Sequence, residues 1–279
     1  MIEPAALAGL RRIASRANPR VKEWAGLKDK ANRDALGLTL AEGAGMIAEG
    51  LDAAGGQFRP IAFIVSDSGA ARPEAGTFLA KAREKGIQLF NLADDCYDKI
   101  SGLGGADGLA LVMEFDGDEP DLSALFATAS PRWLIAACVQ DPGNAGALAR
   151  TALAAGVNGC LFLDGADPHS PKFLRGSMGA AFRLPCLSLS SDDFLTAWKP
   201  SFARLTAAVS GSEAVDYRKA DYSEPLALLI GGEKGIPRAI EQLAAARIRV
   251  PLRNNVESLN LAVAAGIILF EAERIWKHG

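Results

Sequence analysis

The stretch Trp133-Leu-Ile-Ala-Ala-Cys-Val139, followed by Gln140-Asp-Pro-Gly-Asn144, decides the fold. An apolar run with no polar alternation ends abruptly in turn-forming residues. A strand with one solvated face would carry a polar residue at every second position, so this one is covered on both faces, as in a parallel sheet. Asn144 then opens a helix expected over 145–155, with Asn144 as its cap. Working outward, runs of the same kind stand at 160–163, 205–209, 226–230 and 248–252, and helical segments are expected at 192–198, 238–246 and 258–276. Strands alternating with helices in this way imply an open, mostly parallel α/β sheet.

Upstream of this unit the composition changes. Asp116-Gly-Asp-Glu-Pro-Asp121 is acidic and rich in breakers, which places a linker over 116–130 between a smaller α/β domain at 1–115 and the larger one at 131–279. In the first domain Asn18-Pro19 has the chemistry of a helix start, and one helix is expected from there to about residue 36. Further helices are expected at 42–53 and 74–85, the latter ending at Gly86, with strands at 61–65 and 109–113.

Composition narrows the function. Hydrophobic residues make up 49% and charged residues 23% of the 279, so most of the chain can bury a core. The opening Met-Ile-Glu-Pro lacks a basic-then-apolar leader pattern. The longest uncharged apolar stretch, 259–270, is far short of a membrane span and is interrupted by Asn260. A cytoplasmic protein with no membrane association is expected. Cys96, Cys138, Cys160 and Cys186 form no CxxC pair and read as free thiols. With His169 and His278 the only histidines, no metal centre and no histidine-dependent triad are expected. The net charge is −3, yet residues 11–33 carry eight basic side chains against Glu23 and Asp29, a local balance of +6. Phosphate binding responds to the local field, so this segment fits an RNA-facing surface, or a solvated basic helix face.

Three loops follow three of the apolar strands: residues 140–144, 231–237 and 251–258. The C-terminal ends of parallel strands share one sheet edge, and ligands bind in the crevice there. The three loops are therefore expected to meet in a ligand site whose polar members are Asn144, Arg150, Glu233, Ser258 and Asn260. Glycines allow a nucleotide-like ligand close to the backbone, and the absence of GxxxxGK[ST] argues against a P-loop.

These same segments carry a family resemblance. Asn144-Ala-Gly146 with Arg150-Thr-Ala152 resembles the first motif of the SpoU branch of SPOUT RNA methyltransferases. Leu229-Ile-Gly-Gly-Glu233 resembles the second. Val250-Pro-Leu252 with Glu257-Ser-Leu-Asn260 and Ala262-Val-Ala-Ala265 resembles the third. Ser170 to Ala180 resembles the segment between the first two, and Ser15, Asn18, Lys22, Arg33, Glu42 and Gly43 match the pattern of the family's N-terminal, ribosomal-protein-like substrate-binding domain. In this sequence one residue separates Glu233 from Gly235, where the family has two.

The resemblance implies a deep trefoil knot, S-adenosylmethionine held largely by backbone groups of Gly231, Val250 and Leu259, and a homodimer with its active site near the subunit interface. It implies methylation of a ribose 2′-hydroxyl in RNA, ribosomal (23S) rather than transfer RNA because of the separate N-terminal domain. Arg150, Asn144, Glu233, Ser258 and Asn260 are the implied catalytic set. Arg16, Arg20, Lys22, Arg33 and Arg175 are the candidate RNA contacts. Two other readings compete. Gly43-Ala-Gly45-Met-Ile-Ala48, with Asp67 beyond the following strand, fits a relaxed dinucleotide fingerprint of an oxidoreductase. An RNA-binding protein without catalysis would explain the shortened loop.

Overall fold

The computed structural model describes residues 7, 9–53, 56–102, 107–116, 121–127, 131–211, 213–254 and 256–276. The N-terminal stretch, much of the 116–130 linker and His278 lie outside them. The chain forms two compact units, one of Met1–Gly117 with His169–Arg183, the other of Asp118–Pro168 with Leu184–Gly279.

The first unit holds five strands: β1 (Arg11–Ile13), β2 (Leu38–Glu42), β3 (Phe58–Ser66), β4 (Gln88–Leu92) and β5 (Leu109–Phe115), ordered β1-β4-β3-β5-β2. β1, β4 and β3 run parallel, whereas β5 is antiparallel to both β3 and β2. The expected strands at 61–65 and 109–113 are the centre of this sheet. β1, β2 and β4 escaped the sequence reading because β1 and β2 are edge strands and all three are short or interrupted by polar residues. The antiparallel edge position of β2 also removes the dinucleotide reading. That motif needs Gly43 to follow a strand set in a parallel βαβ unit.

The helix expected from Pro19 to residue 36 is two helices, Pro19–Gly26 and Lys30–Leu36. Gly26 has low helix propensity, and the chain turns there. Arg33 closes the turn. Its guanidinium, only 3% exposed, donates to the carbonyl oxygens of Leu27 at 2.8 Å and Lys28 at 2.9 Å. Charged hydrogen bonds of this kind are worth roughly 1.5–3 kcal/mol each. Arg33 is thus a cap holding two helices together and is not free to meet a phosphate. The remaining core joins Val21 and Trp24 of the first helix, with Leu27 just after it, to Phe90, Ile64 and Tyr97.

The segment His169–Arg183, C-terminal to the linker, packs in this unit. The His169 ring stacks on Phe115 at 3.8 Å, Thr39 Oγ1 donates to the His169 carbonyl at 2.6 Å, and Phe182 meets Phe58 edge-on at 5.4 Å.

The second unit contains β6 (Arg132–Ala137), β7 (Gly159–Leu163), β8 (Cys186–Leu189), β9 (Arg204–Ala208), β10 (Val215–Asp216), β11 (Leu226–Gly231) and β12 (Ala246–Arg249). All seven run parallel in the order β10-β12-β9-β11-β6-β7-β8. This is the open parallel sheet expected from the apolar strands, beside a smaller mixed α/β unit. β8 was missed because Cys186-Leu-Ser-Leu189 is an edge strand with alternating exposure. On one face, Ile135, Leu161, Leu205 and Leu229 pack against Phe194, Trp198 and Ile240. The helices Pro142–Ala154 and Leu261–Trp276 pack on each other, the first also against β7 and the second against β11. The chain leaves β6 towards β7 and β8, then returns to the other side through β9 and β11. β6 and β11 therefore flank the point where the strand order reverses, the position at which an open α/β sheet opens a crevice.

Candidate active site

The chain turns sharply at the end of β6. Cys138 takes a left-handed backbone (φ 56°), and Asp141 caps the helix Pro142–Ala154, its Oδ1 accepting from the Gly143 N–H at 3.3 Å. The cap is thus Asp141 and not Asn144, because Pro142 at the first helical position pulls the helix start forward. Asn144 sits inside the first turn with its side chain free for another partner.

That partner is Glu233. After β11 the chain makes a tight turn in which the Gly235 N–H donates to the Gly232 carbonyl at 2.9 Å, with Glu233 and Lys234 at its corners. The Glu233 carboxylate accepts from the Gln140 N–H at 3.1 Å. Its pKa is held below the usual glutamate range, first by that bond, then by its own backbone N–H, the Asn144 side chain and the Asp141 N–H. Since the folded pKa is depressed, this contribution is present above the ordinary carboxylate pKa and lost as pH falls through the folded value; at neutral pH it is intact. The first and second motifs are therefore joined by hydrogen bonds in spite of the shortened 233–235 spacing.

The third loop runs from β12 to the helix Leu261–Trp276. This helix starts three residues later than the sequence pattern suggests. Asn260 is its cap, with Oδ1 accepting from the N–H groups of Ala262 at 3.0 Å and Val263 at 3.4 Å. Its side-chain amide nitrogen makes no hydrogen bond among the described residues, and neither does the exposed Ser258 hydroxyl.

Asn144, the turn 231–236 and the loop 249–261 line one cleft of about 920 Å³. Gly231, Glu233, Val250, Ser258, Leu259 and Asn260 are all on its wall. So are residues that the sequence reading did not single out: Ala208 at the end of β9 with Val209 and Ser210 after it, Glu241 and Arg249. The parallel-edge rule that selected the other loops would also have found residues 208–210, since the strand before them was recognised.

Arg150 is different. It is exposed on the helix Pro142–Ala154, is not on the cleft wall, and makes no ion pair or hydrogen bond among the described residues. Six residues of helix separate it from Asn144 by roughly 9 Å along the axis and about 120° around it. Asn144 lies instead beside the Glu233 carboxylate. The proposed RNA contacts Arg16, Arg20, Lys22 and Arg175 are exposed, and all lie in the first unit. Arg33 leaves that set because it is buried.

A family model described as the SpoU rRNA Methylase family matches residues 131–270, and one described as the MRM3-like substrate binding domain matches residues 18–110. The 23S rRNA (guanosine(2553)-2'-O)-methyltransferase RlmP of Bacillus subtilis is 31% identical over 265 residues, spanning 94% of this chain and 98% of its own. The AdoMet-bound rRNA methyltransferase from Sinorhizobium meliloti is 29% identical with a TM-score of 0.80 over 95% of this chain and 98% of that one. The SpoU methyltransferase AviRb from Streptomyces viridochromogenes, at 24% identity and a TM-score of 0.78, shares the fold. Two family models in order along the chain, and a relative matched nearly end to end, agree with the three joined loops: the chain belongs to the SpoU rRNA methylase family.

Proposed function

We propose that this chain, by its family an S-adenosylmethionine-dependent RNA methyltransferase, methylates a ribose 2′-hydroxyl of large-subunit ribosomal RNA. The observation that carries this reading is the convergence of residues 144, 231–236 and 249–261 on one cleft, with Glu233 fixed by the Gln140 N–H and Asn144. Near-full-length similarity to a relative named for 23S rRNA supports the choice of RNA.

The cleft fits the cofactor. Ile230, Ile236, Leu259 and Ile268 offer apolar walls for an adenine ring, and Ser210 and Glu241 offer acceptors for a ribose diol. The ionised Glu233 puts a negative charge in a site that must take a cation. Backbone groups of Gly231, Val250 and Leu259 would hold the cofactor, which when bound supplies an activated methyl group on a sulfonium. Ser258 and the free amide of Asn260 would hold the acceptor ribose. An arginine side chain donates hydrogen bonds and accepts none, so the part of Arg150 is to bind an RNA phosphate and stabilise the alkoxide that develops on the 2′-oxygen. Arg16, Arg20, Lys22 and Arg175 would bind the RNA backbone. The deep trefoil knot belongs to this reading, and an experimental trace of residues 226–260 checks it. So does a cytoplasmic site of action, supported by four cysteines that form no disulfide. Export of the tagged protein would count against it.

The active form in this reading is a homodimer. Val256 and Val263 are each 52% exposed and Phe270 is 50% exposed; Val263 and Phe270 are seven residues apart on one helix face. A second copy would cover this stripe. Arg150, absent from its own cleft, would then be offered to the cleft of the other copy. Phe270→Glu should give a monomer by sedimentation with unchanged helix content and little methyl transfer. A dimer of wild-type affinity would refute this interface.

Calorimetric titration with S-adenosylmethionine, followed by methyl transfer to a 23S rRNA transcript and to bulk tRNA, tests the function. Cofactor binding with rRNA labelling is the expected result. Labelling of tRNA alone would reassign the substrate, and cofactor binding without transfer to either RNA would overturn the reading.

A further inference from the structure

The basic segment 11–33 does not act as one field. Arg12 is tied to Asp67 and Asn91, Lys30 pairs with Asp34 at 2.6 Å, and Arg33 is buried on two carbonyls. These three cations are used inside the fold. In their place the fold adds a cation from far along the sequence. Lys99, in the last turn of the helix Asp94–Ile100, donates from Nζ to the Arg16 carbonyl at 3.0 Å. Lys28 in turn donates from Nζ to the Lys99 carbonyl at 2.9 Å. On the same helix, burial pushes the Cys96 thiol pKa up, and the Arg16 charge acts against that shift.

Among the described residues, no carboxylate pairs with Arg16, Lys28 or Lys99. Each ammonium spends one donor on a backbone carbonyl and keeps two. That anchoring fixes two long side chains whose disorder would otherwise have to be given up on binding. Lys28 reaches the backbone of Lys99 and Lys99 reaches the backbone of Arg16, so three cationic residues share one stretch of surface with no counter-charge of their own among the described residues, and an anion there would be attracted to all three. We propose that Arg16, Lys28 and Lys99 form one phosphate-binding point for the RNA backbone, with Lys99 at its centre. This rests on the RNA-methyltransferase reading and deepens it. Lys99 is a positioning residue for the substrate and takes no part in the chemistry.

The test uses the full chain, with RNA affinity measured from about 50 to 200 mM salt on a 23S rRNA transcript and on poly(U). Lys99→Gln should weaken both complexes several-fold and reduce the slope of log affinity against log salt by about one. Lys99→Arg should keep the slope, as should Lys30→Gln, whose charge is already paired. Cofactor affinity should not change in any variant. Lys28→Gln removes an exposed side chain and its single bond to the Lys99 carbonyl, leaves the Lys99 side chain in place, and should repeat the Lys99→Gln result, which guards against a local folding defect at residue 99. An unaltered slope in both Gln variants, with wild type binding RNA normally, would overturn the phosphate point and leave Lys99 a simple loop cap. Wild type that binds no RNA would overturn the RNA reading itself and this inference with it.

Discussion

Arg150→Ala should reduce methyl transfer by at least about a hundredfold while leaving S-adenosylmethionine affinity within about twofold, because the role proposed for Arg150 is to stabilise charge in the transition state. The separation of the two effects follows from position. Arg150 is exposed, has no carboxylate partner among the described residues, and is off the wall of the cleft that would hold the cofactor. Its removal deletes one cation and disturbs no packed surface, so stability should change by less than about 0.5 kcal/mol. Arg150→Lys keeps the charge and loses the planar fork that grips a phosphate with two hydrogen bonds, so it should recover only part of the rate. Single-turnover transfer with saturating RNA, set beside calorimetry with the cofactor, separates the outcomes. A fall in cofactor affinity would move Arg150 into the cofactor site and sink the assignment. An unchanged rate would leave it an ordinary surface arginine.

The difference between Arg150 and the rest of the set marks how far the sequence could be read. The parallel sheet was legible because β6, β7 and β11 are buried on both faces, which forces apolar residues at every position. The site was legible because parallel strands end at one edge, so Asn144, Glu233 and the 250–260 loop had to converge. Two classes of feature were not legible. Edge strands such as β1 and β8 carry polar residues for solvent and so lose the apolar signature. Side-chain bonds that span long sequence distances leave no periodic trace: the burial of Arg33 on its own turn and the approach of Lys99 to Arg16, 83 residues away, come from tertiary packing. The same holds for His169–Arg183, whose Phe182 contact with Phe58 assigns that segment to the first unit. A fragment starting at residue 116 would leave Phe182 without Phe58 and His169 without Phe115, so the first unit is better probed by substitution than by deletion.

Gly232→Ala should abolish tight cofactor binding by breaking the site from below. A Cβ at Gly232 would stand 2.4 Å from the Cys138 carbonyl oxygen, and 2.7 Å from both the Cys138 carbonyl carbon and the Val139 Cα. All three are backbone atoms at the end of β6, where Cys138 already takes a left-handed conformation, so no side chain can swing aside. Relieving the contact means pushing the turn 232–235 away from the Gln140 N–H that holds Glu233. Overpacking of this kind costs about 1–3 kcal/mol. For a chain of this size that lowers the melting temperature by several degrees, at roughly 2–4 °C per kcal/mol. Lost in the binding step, the same energy is a cofactor complex weaker by about fivefold to about 150-fold. Gly76→Ala is the control: nothing lies within 4 Å of its added Cβ on the helix Ala75–Glu84, so it should be neutral or slightly stabilising. Wild-type cofactor affinity in Gly232→Ala would show that the turn is not part of the cofactor site. The variant also decides where Arg150 acts. Mixed dimers pairing one Gly232→Ala chain with one Arg150→Ala chain hold one intact cleft, on the chain that lacks the arginine. If each cleft uses the arginine of the other copy, that mixture recovers activity although either parent alone is inactive. If each uses its own, no cleft is complete and the mixture stays inactive.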